Sequence, residues 1–365
     1  MKIAIIHYWL VGMRGGEKVI EALCEMFPDA DLFTHVHVPG AVSPTIERHR
    51  IETSFVSRFP RPARFYKSYL PLMPMALEQF DLRGYDLIIS SESGPAKGVI
   101  PPAGAVHLCY CHSPMRYVWN MSHDYQEKSS RLSRLLMAPL LHYVRSWDVS
   151  SASRVDAFAA NSKTVAKRIR SYWRREADVI FPPVDVESFS PLPKDEIGEF
   201  HLMAGELVRY KRPDLAVEAF SRSGQRLVVI GGGEMLSELR AKAGPTVTFL
   251  GHQPFNVLRD HYARCKSLIF PGEEDFGIVP IEAMASGRPV VAFGRGGATE
   301  TVVDGVTGTF FGEQTVEALL DAVDRCENAR LDPTHAVARS RIFGKDVFKA
   351  SMAEFVQRSL ASAAA

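Results

Sequence analysis

The chain has 365 residues, too many for one typical core, so two domains are expected. Its composition is ordinary for a globular protein, with 46% hydrophobic and 23% charged residues. A formal net charge of +1 gives no global field for nucleic acid, so any basic surface must be local. The start, Met1-Lys2-Ile3-Ala4-Ile5-Ile6, has the look of a signal peptide but is too short an apolar run, and Lys2 to Leu10 reads as a first strand. No run approaches the roughly 18 apolar residues of a membrane span. Val11 to Gly16 reads as a glycine-rich turn, and Glu17 to Phe27 has helical spacing through Val19, Ile20 and Leu23. Strand, glycine turn and helix form the first unit of a Rossmann-like α/β domain. Gly15 and Gly16 would let backbone approach a ligand, although a tight turn alone explains them. They are not part of a GxGxxG string, which leaves a dinucleotide poorly supported.

Further strands are expected at 31–36, 86–91, 106–111, 157–161 and 179–181, alternating with helical stretches as a parallel sheet requires. Asp29-Ala30-Asp31 has the form of a DxD metal motif, but it leads into a strand and is assigned no metal. Cys109 and Cys111 lie on a predicted strand with no second pair, so they read as buried thiols. Five Cys without framework spacing suggest a reducing, cytosolic compartment. His112 follows the strand 106–111 directly, which places it at a carboxyl end, where such sheets bind ligands. His107, His123 and His142 have no such address. Two stretches are basic and aromatic together. One is 58–69, with Arg58, Arg61, Arg64, Lys67, Phe59, Phe65, Tyr66 and Tyr69; the other is 128–147, with Lys128, Arg131, Arg134 and Arg145 around an apolar run. Such segments can lie on an anionic bilayer or pack an apolar face on the core. For 58–69 both readings stand; for 128–147 packing is preferred.

Phe181-Pro182-Pro183-Val184-Asp185 to Pro193 is rich in Pro and marks the domain boundary. His201 to Gly205 reads as the first strand of the second domain, followed by Glu206 to Arg212 and a helix from Pro213 to Ser221. Strands at 226–230 and 246–250 end in the turns Gly231-Gly232-Gly233 and Gly251-His252-Gln253. The stretch Pro271 to Pro289 is the one the chain is organised around. The run 267–270 is a buried strand, Gly272 to Gly277 a polar loop, and a helix begins near Ile278 with Pro280 in its first turn. A helix start offers free N–H groups to a phosphate. Glu274 and Glu282, with seven residues between them, add two carboxylates that accept from paired hydroxyls. This combination describes a nucleotide-sugar pocket. Gly296-Gly297 opens the next helix, and 345–360 has apolar residues at helical spacing, Val347, Phe348, Met352, Phe355, Val356 and Leu360.

The string from Glu274 through Phe276-Gly277 and Glu282-Ala283-Met284-Ala285-Ser286-Gly287-Arg288-Pro289 closely resembles the signature of glycosyltransferase family 4. Cys111 to Trp119, the Pro182-Pro183-Val184-Asp185 hinge and Gly296 to Glu300 resemble other segments of that family. The resemblance implies an α/β chain of the GT-B class, with two Rossmann-like domains facing across a cleft. The domains would be 1–185 for the acceptor and 186–345 for the nucleotide sugar, and part of the helix 346–365 would cross back to the first. It implies a retaining transferase moving a hexose from a nucleoside diphosphate to an acceptor hydroxyl, with no cofactor or metal. In the implied roles, Glu282 holds the ribose, Glu274 the sugar hydroxyls, and Phe276, Gly277, Ile278 and Val279 the sugar and phosphates. Lys211, with Arg209 as a candidate, neutralises the departing diphosphate, and His252 lines the base pocket. His112 faces the reacting sugar, and Gly15 and Gly16 lie beside diphosphate and acceptor. Glu206 departs from the pattern, because the family usually has Arg there. The branch most resembled is bacterial O-antigen and exopolysaccharide mannosyl transfer from GDP-mannose, which implies a lipid-linked acceptor at the inner membrane face. A nucleotide-sugar epimerase and a non-catalytic nucleotide-sugar-binding partner are the rival readings.

Overall fold

The structure is a computed structural model and describes residues 1–119 and 131–364, with the backbone alone for 131–136 and 364. The chain divides into two compact units, Met1–Pro183 with Phe348–Ala365, and Val184–Val347.

The first unit is built on seven strands: β1 Ile3–His7, β2 Asp31–Thr34, β3 Ile51–Thr53, β4 Leu87–Glu92, β5 Val106–Cys111, β6 Ala157–Ala160 and β7 Asp178–Val179. All pairings are parallel, in the order β3-β2-β1-β4-β5-β6-β7. Strands β4 and β5 are buried along their whole length, as strands covered on both faces are, and their polar side chains Ser90, Ser91, Glu92 and His107 are hydrogen-bonded. The second unit has six parallel strands: β8 His201–Ala204, β9 Leu227–Ile230, β10 Val247–Gly251, β11 Leu268–Phe270, β12 Val290–Phe293 and β13 Gly308–Phe311, in the order β10-β9-β8-β11-β12-β13. In both sheets the order reverses once, between β1 and β4 and between β8 and β11. Doubly wound sheets bind ligands at the carboxyl ends of strands flanking such a reversal.

Two strands, β3 and β13, escape sequence reading. The first has only three residues, and Gly308-Thr309 interrupts the apolar pattern of the second. Gly15 and Gly16 are a correction. They are not a turn but the first two residues of the helix Gly15–Met26, because Glu17 accepts the Arg14 N–H at 3.0 Å and caps the helix from its third position. A Cβ on Gly16 would stand 2.3 Å from the Tyr8 hydroxyl, so close packing explains the glycine.

The helix Lys345–Ala364 places Phe348, Met352, Phe355 and Val356 in one core with Ile5, Leu10, Val19, Ile20 and Tyr110. Val347 is exposed, because Phe348 takes the inward direction. Of the stretch 128–147, Lys128 and the side chains of Arg131 and Arg134 lie outside the described residues, as does His123. Leu141, Val144 and Trp147 are buried with Leu77 and Tyr85, so this part of the helix Arg131–Ser151 packs on the core. The stretch 58–69 is a series of short helical turns. Tyr66 is buried, with Phe59 and Tyr69 against it, while Arg58, Arg61, Arg64, Phe65 and Lys67 are exposed.

Candidate active site

In the second unit, β8 runs into Gly205, which has φ +126°, and a Cβ there would meet the Lys211 ammonium at 3.6 Å. The chain turns through Arg209–Lys211 and enters the helix Pro213–Ser223. On the neighbouring side of the strand reversal, β11 runs into the loop 271–277. The two loops are in contact through backbone, because a Cβ on Gly272 would lie 2.5 Å from Lys211 Cα. This contact joins Lys211 Nζ to Glu274 Oε1 at 3.0 Å, both side chains being less than one-fifth exposed. Burial would lower the ammonium's pKa. Glu274, with smaller help from Tyr210 and Glu206, outweighs it and holds Lys211 above the ordinary lysine range.

The loop is fastened from below. Gly297 donates its N–H to the Glu274 carbonyl at 2.8 Å, and a Cβ on Gly297 would fall 2.3 Å from Phe276 Cα. The Phe276 side chain is buried edge-on against Phe343, so its backbone is what the loop offers. Gly277, at φ +85°, caps the helix Ile278–Ala285, with Ile278 and Val279 half-buried at its start. Glu282 accepts from the Tyr262 hydroxyl at 2.7 Å. His252 is exposed after β10, with its ring over Gly232; a Cβ there would be 2.5 Å from Nε2. Arg209 is exposed, and its charge acts on Glu238 and Lys242.

In the first unit, His112 stands at the end of β5, where its N–H donates to the Glu92 carbonyl at 2.8 Å. Its Nε2 is 2.7 Å from Ser91 Oγ. Burial, then the neighbouring His7, push its pKa down to about 3, so the imidazole is neutral at physiological pH. Beneath it lies a sealed ionic cluster. Lys97 is fully buried, joined to Asp148, and 3.7 Å from Glu92 Oε1. Trp119 and Trp173 each donate to Asp148 Oδ2 at 2.8 Å. Glu92 Oε2 accepts the Ala96 and Lys97 N–H groups, each at 2.7 Å, and burial pushes its pKa up to about 7. Elsewhere, His107 is buried between Ser90 Oγ and the Arg154 carbonyl, so it is structural. Asp31 accepts from the Tyr85 hydroxyl at 2.5 Å. Among the described residues no three His, Cys, Asp or Glu side chains converge as metal ligands would.

Residues 13–188 match the model of Glycosyltransferase Family 4, and residues 185–341 match that of glycosyl transferases group 1. The chain has the GT-B fold, and each of its halves matches a glycosyltransferase family model. It is 30% identical over 214 residues to a D-inositol 3-phosphate glycosyltransferase of Mycobacterium leprae (strain Br4923), covering 51% of this chain and 50% of the relative. With the enzyme of the same name from Frankia alni it shares 31% over 177 residues, 40% of this chain and 44% of that one. The chain thus spans about half the length of these curated relatives. Among solved structures, HepE of Anabaena in complex with UDP and glucose superposes with a TM-score of 0.71 at 16% identity, over 98% of this chain and 99% of that one. A sucrose-phosphate synthase from Thermosynechococcus elongatus gives 0.70 at 19% identity, over 99% and 100%.

Set on this GT-B frame, the expected residues fall into separate groups. Lys211, Glu274, Phe276, Gly277, Ile278, Val279 and Glu282 gather around the β8–β11 reversal. His112 and Gly16 lie near the β1–β4 reversal, both against Tyr8. Tyr262, His7, Ser91 and Glu17 were missed. Tyr262 sits on a plain amphipathic helix, Phe255–Arg264, and no local signal marks it. Ser91 and His7 are strand residues whose meeting depends on register, although a polar pair inside two apolar strands was a usable hint.

Proposed function

We propose that this GT-B chain is a retaining glycosyltransferase that moves a hexose from a nucleoside-diphosphate sugar to a lipid-linked glycan in bacterial surface polysaccharide synthesis. The observation that carries this reading is the Lys211–Glu274 pair held next to the start of the helix Ile278–Ala285. N–H groups at that helix start donate to the phosphate oxygens, and Glu282 accepts from the ribose hydroxyls. Glu274 takes sugar hydroxyls, and His252 lines the base. In the reaction, the bond from the anomeric carbon to the phosphate oxygen breaks while the acceptor oxygen bonds that carbon on the same face. The departing phosphate oxygen takes the acceptor proton. Lys211 offsets the charge that develops on the diphosphate, the kind of interaction worth most in a partly dry site. His112, Gly15 and Gly16 serve the sugar and acceptor, and no metal or cofactor enters the scheme.

Mannose from GDP-mannose is the donor favoured by sequence resemblance. The HepE complex with UDP and glucose favours a UDP-sugar as the competing donor. A cytoplasmic site of action follows from the donor class. The exposed Arg58, Arg61, Arg64 and Lys67 beside Phe65 support contact with an anionic membrane face, at about 1 kcal/mol per basic residue. No helix among the described residues is long and apolar enough to cross a membrane.

The test is a thermal-shift series with GDP, UDP, GDP-mannose and UDP-glucose, followed by incubation of the stabilising donor with and without a lipid-linked glycan. Acceptor-dependent release of nucleoside diphosphate supports transfer. A changed sugar without acceptor identifies an epimerase. Stabilisation with neither transfer nor hydrolysis identifies a non-catalytic binder.

A further inference from the structure

Four side chains of the first unit form one line, and three of them, Glu17, His7 and Ser91, are buried. Glu17 Oε1 stands 3.8 Å from His7 Nε2, with both side chains almost wholly buried. His7 Nδ1 is 3.1 Å from Ser91 Oγ. Ser91 Oγ is in turn 2.7 Å from His112 Nε2. The sheet builds this line, because in the parallel β1–β4 pairing His7 lies directly opposite Ser91. His7 Nε2 is buried and has no hydrogen-bond partner, so the Glu17 carboxylate is the charge it faces.

We infer that Glu17, His7 and Ser91 are positioning residues that fix the tautomer of His112, so that its Nδ1 presents a lone pair. Glu17 is held as an acceptor by the Arg14 N–H at the helix start. A carboxylate beside Nε2 favours a proton there over a lone pair. With that proton on Nε2 and a lone pair on Nδ1, His7 accepts the Ser91 hydroxyl proton. Ser91 has one proton, so its oxygen then accepts the Nε2–H of His112. The remaining ring nitrogen of His112, Nδ1, is bare, and among the described residues it has no hydrogen-bond partner. His112 is neutral at physiological pH, with its pKa pushed down to about 3, so its open nitrogen accepts from a hydroxyl and does not donate as a cation. The inference rests on the reading of His112 as a residue that meets sugar hydroxyl; it adds the direction of that hydrogen bond and the residues that set it.

The experiment uses the full chain labelled with 15N-histidine, and the His112 ring signals are assigned by their loss in His112→Gln. Long-range 15N–1H spectra distinguish a ring protonated at Nε2 from one protonated at Nδ1. The expected result is a single Nε2–H tautomer for His112, a mixture in Ser91→Ala, and recovery in Ser91→Thr. In transfer assays, Ser91→Ala is expected to lower kcat about tenfold with donor KM little changed. An Nδ1–H tautomer in the wild-type chain would overturn the inference, as would a Ser91→Ala spectrum identical to wild type. The ring spectra need no turnover, so a chain that transfers no sugar would refute the enzyme reading while the tautomer is still decided.

Discussion

The ammonium of Lys211 and the carboxylate of Glu274 meet at 3.0 Å, one from the loop after β8 and the other from the loop after β11. The pair spans the strand reversal of the second unit, so neither charge is placed without the other. Lys211→Ala is expected to lower kcat/KM by about 10²–10³, within the range of losing one electrostatic donor in a preorganised site. Glu274→Gln should cause a similar loss, but should tighten binding of the free nucleoside diphosphate by releasing Lys211. Steady-state kinetics with calorimetry of the diphosphate checks both; unaltered turnover in the two variants would displace the site.

Gly297 holds the Glu274 loop by backbone alone. Gly297→Ala puts a methyl 2.3 Å from Phe276 backbone, which has no flexible end to yield. The expected outcome is loss of most activity with the fold retained. Gly312→Ala, with nothing within 4 Å, is the matched control and should leave both activity and melting temperature unchanged.

Glu206 is an exposed carboxylate whose charge acts on Lys211. Placed near a diphosphate it repels. Glu206→Arg should lower donor KM about two- to fivefold, the size of an exposed charge effect. The gain should shrink as salt is raised, since screening acts on solvent-facing charges. A KM that rises, or that ignores ionic strength, would place Glu206 away from the phosphates.

Lys97 neutralises Glu92 and Asp148 in the sealed cluster beneath His112. Lys97→Met leaves two buried carboxylates without their cation, which should cost about 3–5 kcal/mol in urea unfolding. Adding Asp148→Asn should recover part of the loss, because the second change removes one of the stranded charges. If the double variant is no more stable than the single one, Asp148 is not what Lys97 offsets.

Acid should weaken the fold. Burial pushes His35, His107 and His201 down to about 4 and His112 down to about 3. Their folded values lie below the unfolded value of about 6.5, so the unfolded chain binds protons that the folded chain refuses. The stability these histidines contribute is therefore complete above about pH 6.5 and falls as pH drops toward 4. Glu92, raised to about 7 by burial, acts the other way between about 4.5 and 7, one proton against four. The urea midpoint should be lower at pH 5 than at pH 7, and the slope shallower in His35→Gln. Equal midpoints would contradict the neutral histidines.

Much of the second unit was legible. Glu274 and Glu282 flank a helix start after an apolar strand, and both the period change and Pro280 announce that start locally. His112 was legible because a strand end is a local event. Gly15 and Gly16 were misread, because nothing near them tells a turn from a capped helix; that depends on Glu17 reaching back to Arg14. The Tyr262 hydroxyl on Glu282 was invisible, since its helix looks like any other amphipathic helix until it is packed.

The sequence by itself determined the alternation of strands and helices, the two Rossmann-like sheets and the acidic loop with its helix start. These follow from hydrophobic period and turn chemistry, which act over a few residues. Only the tertiary structure decided that Lys211 is clasped by Glu274, and that His7, Ser91 and His112 form one line. Those contacts depend on strand order and register, which are fixed when distant apolar faces are buried together.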